Sequence, residues 1–309
     1  MDFDTWVVED DGERRNYPTL PGYELRRLIG AGDFTEVYVA RQRSVDRDVA
    51  ICTPRPQYST TSFAAEALRR EARCLALLQH PHVVSVIDLL TVGDRPYLVL
   101  EYASEGSLSD KLQNGPQRPE LAASLIEHLA RIMHWIHSRG IIHTNLKPSQ
   151  ILFTSPADDR LGDRRRLACH ESKLGIPMVS GFGLAIDAEL RSKIEEGEIA
   201  GTMSYMSPEH LANGRRELGP PADVYSLGAI LYLMLTGVRP LSVLEGESVR
   251  TLAARILEQA PASVRSLTPD VDARLDDICL KSLAKRPEDR YATAGEMAED
   301  LGDYLGRLR

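Results

Sequence analysis

The rhythm of polar and apolar positions changes once along the chain. Between Gly22 and Tyr102, short runs rich in Val, Ile, Leu and Tyr are bounded by Gly, Asp and Pro. That pattern predicts strands over Tyr23 to Ile29, Glu36 to Arg41, Asp48 to Thr53, Val84 to Leu90 and Tyr97 to Tyr102. One stretch breaks it. From about Ala64 to Leu78, Leu68, Leu75 and Leu78 recur at helical spacing, and Glu71 shares their face as a carboxylate on an apolar stripe. From Ala103 onward the period is helical. Residues 118 to 138 read as an amphipathic helix stopped by Gly140, and Pro221 to Leu235 as a helix apolar nearly all round, hence central. Further helices are expected around 271 to 283 and 293 to 307. The fold class is α+β: a β-rich lobe with one helix, residues 21–102, then a helical lobe, 103–309. The acidic residues 1–20 are expected to form a flexible tail.

Composition narrows the picture. A chain of 309 residues, 43% hydrophobic, is long enough for two packed lobes. The net charge of −8 argues against a nucleic-acid or anionic-membrane binder, since both need a basic face. Cys52, Cys74, Cys169 and Cys279 have no metal-ligand spacing and read as reduced thiols, pointing to a cytoplasmic location. Residues 2 to 13 carry six acids, the wrong charge for the start of a signal peptide. The longest uncharged apolar run, Val224 to Val238, has 15 residues and is short for a bilayer, so no membrane span is expected.

The candidate chemistry lies in a series of motifs. GAGDFTEVY at 30–38 sits between two strands, and VAI at 49–51 lies on a strand. Glu71 follows on the helix, then HPHVV at 80–84, YLVLEY at 97–102 and HSRGIIHTNLKPSQIL at 137–152. SGFGLA at 180–185, GTMSYMSPE at 201–209, DVYSLG at 223–228 and RPEDRY at 286–291 close the series. Each string is a modest signal, and all of them in this order over residues 22 to 307 are a strong one. The chain resembles the eukaryotic-like serine/threonine protein kinases, particularly bacterial ones. The resemblance implies a bilobal protein-kinase fold in which a glycine loop covers the phosphates of ATP. A strand lysine pairs with a helix glutamate, one aspartate accepts the substrate proton, and an asparagine and a second aspartate hold magnesium.

At those positions the sequence departs from the family. Cys52 stands for the lysine, Asn145 for the proton acceptor, Gln150 for the metal-binding asparagine and Gly181 for the metal-binding aspartate. Thr144 replaces the arginine that would meet an activation-loop phosphate. The with-no-lysine kinases move the lysine to the third glycine position, but here that position is Thr35, and the first lysine in the chain is Lys111. A positioned base is worth roughly 10²- to 10⁴-fold in rate. One neutral amide oxygen is a poor magnesium ligand. Glu71 and Lys147 are retained, and Glu71, lacking its partner, is expected to turn to solvent or pair with Arg70 or Arg73.

The architectural positions remain. By resemblance, Leu75, Val86, His143 and Phe182 form the regulatory spine, with Asp223 as its anchor. Gly30, Gly32, Val37, Ala50, Leu100, Glu101, Ala103 and Leu152 match the nucleotide pocket, and Glu209 and Arg290 a buried ion pair. His134 and His137 share a helix face and read as packing residues rather than metal ligands. Two features stand outside the pattern: a charged insertion at about 154–177, carrying Arg164, Arg165 and Arg166, and the acidic stretch Glu189 to Glu198 before Thr202. The expectation is a catalytically inactive member, a pseudokinase, acting as a signalling scaffold or allosteric partner. It would require no cofactor, bind ATP or ADP weakly if at all, and hold no magnesium. Its partner would be a protein, such as an active kinase or its substrate. The alternatives are a slow atypical kinase and a metal-independent nucleotide sensor.

Overall fold

The structure, a computed structural model, describes residues 5–10, 13–32, 34–58, 62–155, 174–185, 203–213, 218–242 and 247–308. It divides into two compact units, residues 1–104 and 105–309.

The first unit is built on a five-stranded antiparallel sheet in the order β3-β4-β5-β7-β6. The strands are β3 (Tyr23–Ala31), β4 (Thr35–Gln42), β5 (Arg47–Pro54), β6 (Val86–Val92) and β7 (Arg95–Glu101). Side chains alternate between the two faces of a strand. Tyr38, Ala40, Val49, Ile51, Tyr97 and Val99 gather on one face with Leu20, Tyr23 and Leu25 as a buried apolar cluster. The intervening residues point the other way: Val37 pairs with Cys52, Ala50 with Leu100, and Cys52 with Leu98. One helix, α1 (Ser62–Leu77), packs on β5, β6 and β7.

The first residues differ from the tail expected there. Two strands, β1 (Thr5–Asp10) and β2 (Glu13–Pro18), pair antiparallel from Thr5↔Pro18 to Asp10↔Glu13, and β1 lies beside β3. The reason is readable in the sequence: a β-favouring Thr-Trp-Val-Val run precedes Asp11-Gly12, a dipeptide favoured in hairpin turns. Acidic composition masks that signal.

Among its described residues the second unit is helical apart from one antiparallel strand pair. Helix α2 (Leu108–Lys111) opens with a capping box between Ser107 and Asp110. Helix α3 (Pro119–His137) ends at Ser138, whose amide donates to His134 O, and Gly140, at φ +75°, turns the chain three residues beyond the helix. The central helix Pro220–Thr236 is apolar around its whole circumference and packs on α3 and on helices Ala273–Ser282 and Ala294–Gly306. Strands β8 (Ile151–Thr154) and β9 (Ile176–Val179) pair from Ile151↔Val179 to Thr154↔Ile176. Thr154, Ile176 and Pro177 are therefore strand rather than part of the insertion expected at 154–177. Arg164 to Arg166, Cys169, Glu189 to Glu198 and Thr202 lie outside the described residues.

Candidate functional site

In the first unit, β5 presents Cys52 where the family resemblance places a lysine. The thiol is buried, and burial, followed by the nearby Glu71 carboxylate, pushes its pKa far up, with the Thr35 hydroxyl bond opposing weakly. Such a thiol is neutral and unreactive. Glu71 is only 9% exposed, so of the two outcomes expected for it, solvent or an arginine partner, the turn to solvent does not occur. It shares the buried face of α1 with Leu68 and Leu75, continued by Leu78 just past the helix, and Arg73 pairs with Glu66. The glycine loop closes through Gly32 N–H donating to Thr35 O at 2.8 Å, and Gly30 faces Val37 across the β3–β4 ladder. At the loop tip, the Phe34 ring meets Tyr58 and Phe63 edge-on at 5.3 and 5.2 Å. The expected pocket wall of Val37, Ala50 and Leu100 shares one face of the sheet with Cys52. Val86 pairs with Leu100 on the other side of β7, and Glu101 N–H donates to Ser85 O at 2.9 Å just before Ala103.

In the second unit, Asp223 organises the loop 141–150. This buried carboxylate accepts the amides of His143 and Thr144, both at 2.9 Å, and the Nε2–H of His137 at 2.8 Å. Burial alone would raise the Asp223 pKa, but the His137 hydrogen bond and charge, the field of His143 and the His143 amide outweigh it, and the net shift is downward. His137 is thus more than a packing residue. His134 is exposed and covers Gly295, where an added Cβ would lie 3.0 Å from its ring.

His143 is held in one tautomer. Its Nδ1 accepts Asn145 N–H at 3.2 Å, so Nε2 carries the proton and donates to Ser180 O at 2.8 Å. Burial lowers its pKa and favours the neutral ring. That ring lies 4.6 Å from Phe182. Thr144 sits at φ +64°, an uncommon conformation for a β-branched residue. The two amide bonds to Asp223 and a 2.8 Å bond from Thr144 Oγ1 to Leu184 O hold it there.

The positions of the expected metal ligands are occupied differently. Gly181 has φ +83°, and a Cβ built on it would lie 2.3 Å from both Cδ and Oε1 of Gln150. The Gln150 carboxamide therefore fills the space where a side chain at 181 would begin. Its Oε1 accepts Ser180 Oγ–H at 3.0 Å, and its backbone oxygen accepts Ser180 N–H at 3.0 Å. Among the described residues no cluster of His, Cys, Asp and Glu could hold a metal ion. Leu152 lies on β8 opposite Met178, and Lys147 is half-buried in the turn before Pro148.

Away from the loop, Arg290 makes a bidentate pair with Glu209, both bonds 2.7 Å. Its remaining donors reach Ala284 O, Pro221 O and Lys285 O at 2.7 to 2.9 Å. Sequence reasoning missed His137, Ser180 and the Thr144 hydroxyl. Their partners lie 86, 30 and 40 residues away, so no local spacing announces them.

A five-stranded antiparallel sheet with one helix, followed by a helical unit whose central helix anchors a His-X-Asn loop through an aspartate, defines a kinase-type domain. The chain belongs to the protein kinase domain family, whose model matches residues 23–300. It is 31% identical over 280 residues to the serine/threonine-protein kinase PrkC of Bacillus subtilis and 33% over 284 residues to PknB of Mycobacterium tuberculosis. It is also 30% identical over 280 residues to a probable serine/threonine-protein kinase of Clostridium perfringens. Each match covers 90% of this chain but only 38 to 42% of the relative. The chain thus spans about two-fifths of the length of the curated relatives it matches. Among the described residues, no helix is long and apolar enough to cross a membrane.

Proposed function

We propose that this kinase-fold chain does not transfer phosphate and acts as a signalling scaffold or allosteric partner of another protein in the cytoplasm. The observation that carries the reading is Gln150, whose carboxamide occupies the start of any side chain at 181 and already accepts from Ser180. An amide oxygen so engaged, beside a glycine, is a poor fit to a magnesium ion, which favours carboxylate ligands in octahedral array. Two further replacements act in the same direction. Cys52 offers no charge to an α- or β-phosphate, and Asn145 offers no basic oxygen to a substrate hydroxyl. Positioning and charge neutralisation are most of phosphoryl-transfer catalysis, so losing three such groups removes far more than one factor of roughly 10²-fold. The loop geometry that remains is architectural: Asp223, His143 and Phe182 are bonded and packed with nothing left to activate.

A second reading, metal-independent nucleotide binding, is favoured by one observation: Val37, Ala50 and Leu100 remain apolar and aligned on one sheet face. Thermal melting with ATP or ADP, with and without magnesium, separates the readings, because a ligand that binds the native state raises Tm. The scaffold reading expects no shift. A magnesium-independent rise supports the sensor. Phosphate transfer from labelled ATP to a protein substrate, lost on Lys147→Ala, would overturn both in favour of an atypical kinase.

A further inference from the structure

The contact between Gln150 and position 181 is tighter than a chance approach of two side chains. A Cβ at 181 would meet Cδ and Oε1 at 2.3 Å and Nε2 at 2.8 Å, so all three terminal atoms of Gln150 stand within that one space. Nor does the glutamine end swing free. Ser180 clamps it, donating Oγ–H to Oε1 at 3.0 Å and its amide to the Gln150 backbone oxygen at 3.0 Å. Ser180 is fixed in turn by His143 Nε2–H, which donates to its carbonyl at 2.8 Å, and Leu184, three residues beyond Gly181, is tied to Thr144 Oγ1 at 2.8 Å. The segment after β9 is thus held by two replaced residues, Gln150 and Thr144, together with the retained His143.

We infer that Gln150 is a built-in occupant of the metal-ligand position, and that metal independence is set by Gln150 and Gly181 as a coupled pair rather than by either residue alone. The inference rests on the reading of a chain without phosphate transfer and deepens it. Its chemistry is simple. The carboxamide accepts the Ser180 hydroxyl, its end stands where a side chain at 181 would begin, and φ +83° there favours glycine as well. A carboxylate returned to 181 must displace the Gln150 end from its Ser180 bond, and shortening residue 150 by one methylene removes that conflict.

Four proteins test this: the wild type, Gly181→Asp, Gln150→Asn, and the double variant, each melted without ligand and then with ADP and manganese(II). Gly181→Asp is expected to lose several degrees of Tm, and Gln150→Asn in the same chain to restore the part of that loss that comes from the contact rather than from φ +83°. Such non-additivity is the signature of residues in contact. Only the double variant is expected to gain a Tm rise that requires manganese. Should Gly181→Asp fail to fold, Gly181→Ala in the wild type and in a Gln150→Ala background replaces it. The cost of φ +83° is common to both backgrounds and cancels. Additive losses overturn the inference. So does a manganese-dependent rise in the wild type or in Gly181→Asp alone, and so does its absence from the double variant. Phosphate transfer by the wild type would sink the proposed function while leaving the cycle as expected. An additive cycle would sink this inference while leaving the absence of transfer intact.

Discussion

Arg290 engages all of its guanidinium donors: two with Glu209 and three with the carbonyls of Ala284, Lys285 and Pro221. A lysine there keeps the charge but has three donors on one atom instead of five in a planar fork. Arg290→Lys is expected to lower stability by about 2–3 kcal/mol, read from chemical denaturation, since buried carbonyls and one carboxylate oxygen lose their partners. At this scale the sequence was informative where a motif fixes both ends of a contact, as for Glu209 with Arg290 and Asp223 with the His143 loop. It was uninformative where the partner is a backbone oxygen, because nothing in a sequence marks Ser180 O or Leu184 O as an acceptor. It was misleading in part for Glu71, where the missing strand lysine suggested solvent as one outcome although the face it shares with Leu68 and Leu75 is buried.

Among the elements, the central helix Pro220–Thr236 is the most tightly specified. Gly228 lets helix Ala273–Ser282 approach until an added Cβ would lie 2.6 Å from Cβ of Ser282. Gly228→Ala raises helix propensity but overpacks this crossing. A net loss of about 1–3 kcal/mol in denaturation is expected, and Ser282→Gly in the same chain is expected to recover part of it. Periodicity found this helix, α3 and the central strands to within two or three residues, because their apolar residues repeat often enough to outweigh the ends. The hairpin of β1 and β2 escaped the same reading, since its acidic residues were weighed as a tail before its turn dipeptide was considered. The β8–β9 pair escaped because a long intervening segment separates strands of only four residues each.

For the whole molecule, buried titratable groups set the pH range of stability. His143 is shifted below its ordinary value, so the folded chain binds fewer protons than the unfolded one. Its contribution is complete above about pH 6.5 and is lost as pH falls through the folded value. Asp223, also shifted down, adds a second loss below about pH 4. On the alkaline side the thiols of Cys52 and Cys279 and the Tyr225 hydroxyl, about 12, are shifted up by burial, so their contributions are lost above the unfolded values, from about pH 9 onward. Lys285, lowered to about 8 by its burial and by Arg290, acts oppositely, but it is half-exposed and contributes little. Denaturation midpoints across pH are therefore expected to form a plateau from about pH 7 to 9 with a two-stage acid limb. Replacing His143 with Leu should lower the plateau and remove the first stage.

The fit of Gln150 against Gly181 also gives the chain a direction of change. From the present sequence, an acid introduced at 181 meets the Gln150 end, which must leave its Ser180 bond, and a strained φ at the first step. A change at 150 must come first, and it gains nothing by itself because glycine still stands at 181. On the proposed reading, the way to a metal-binding loop thus runs through an intermediate with no advantage, and the present pair of residues resists that change.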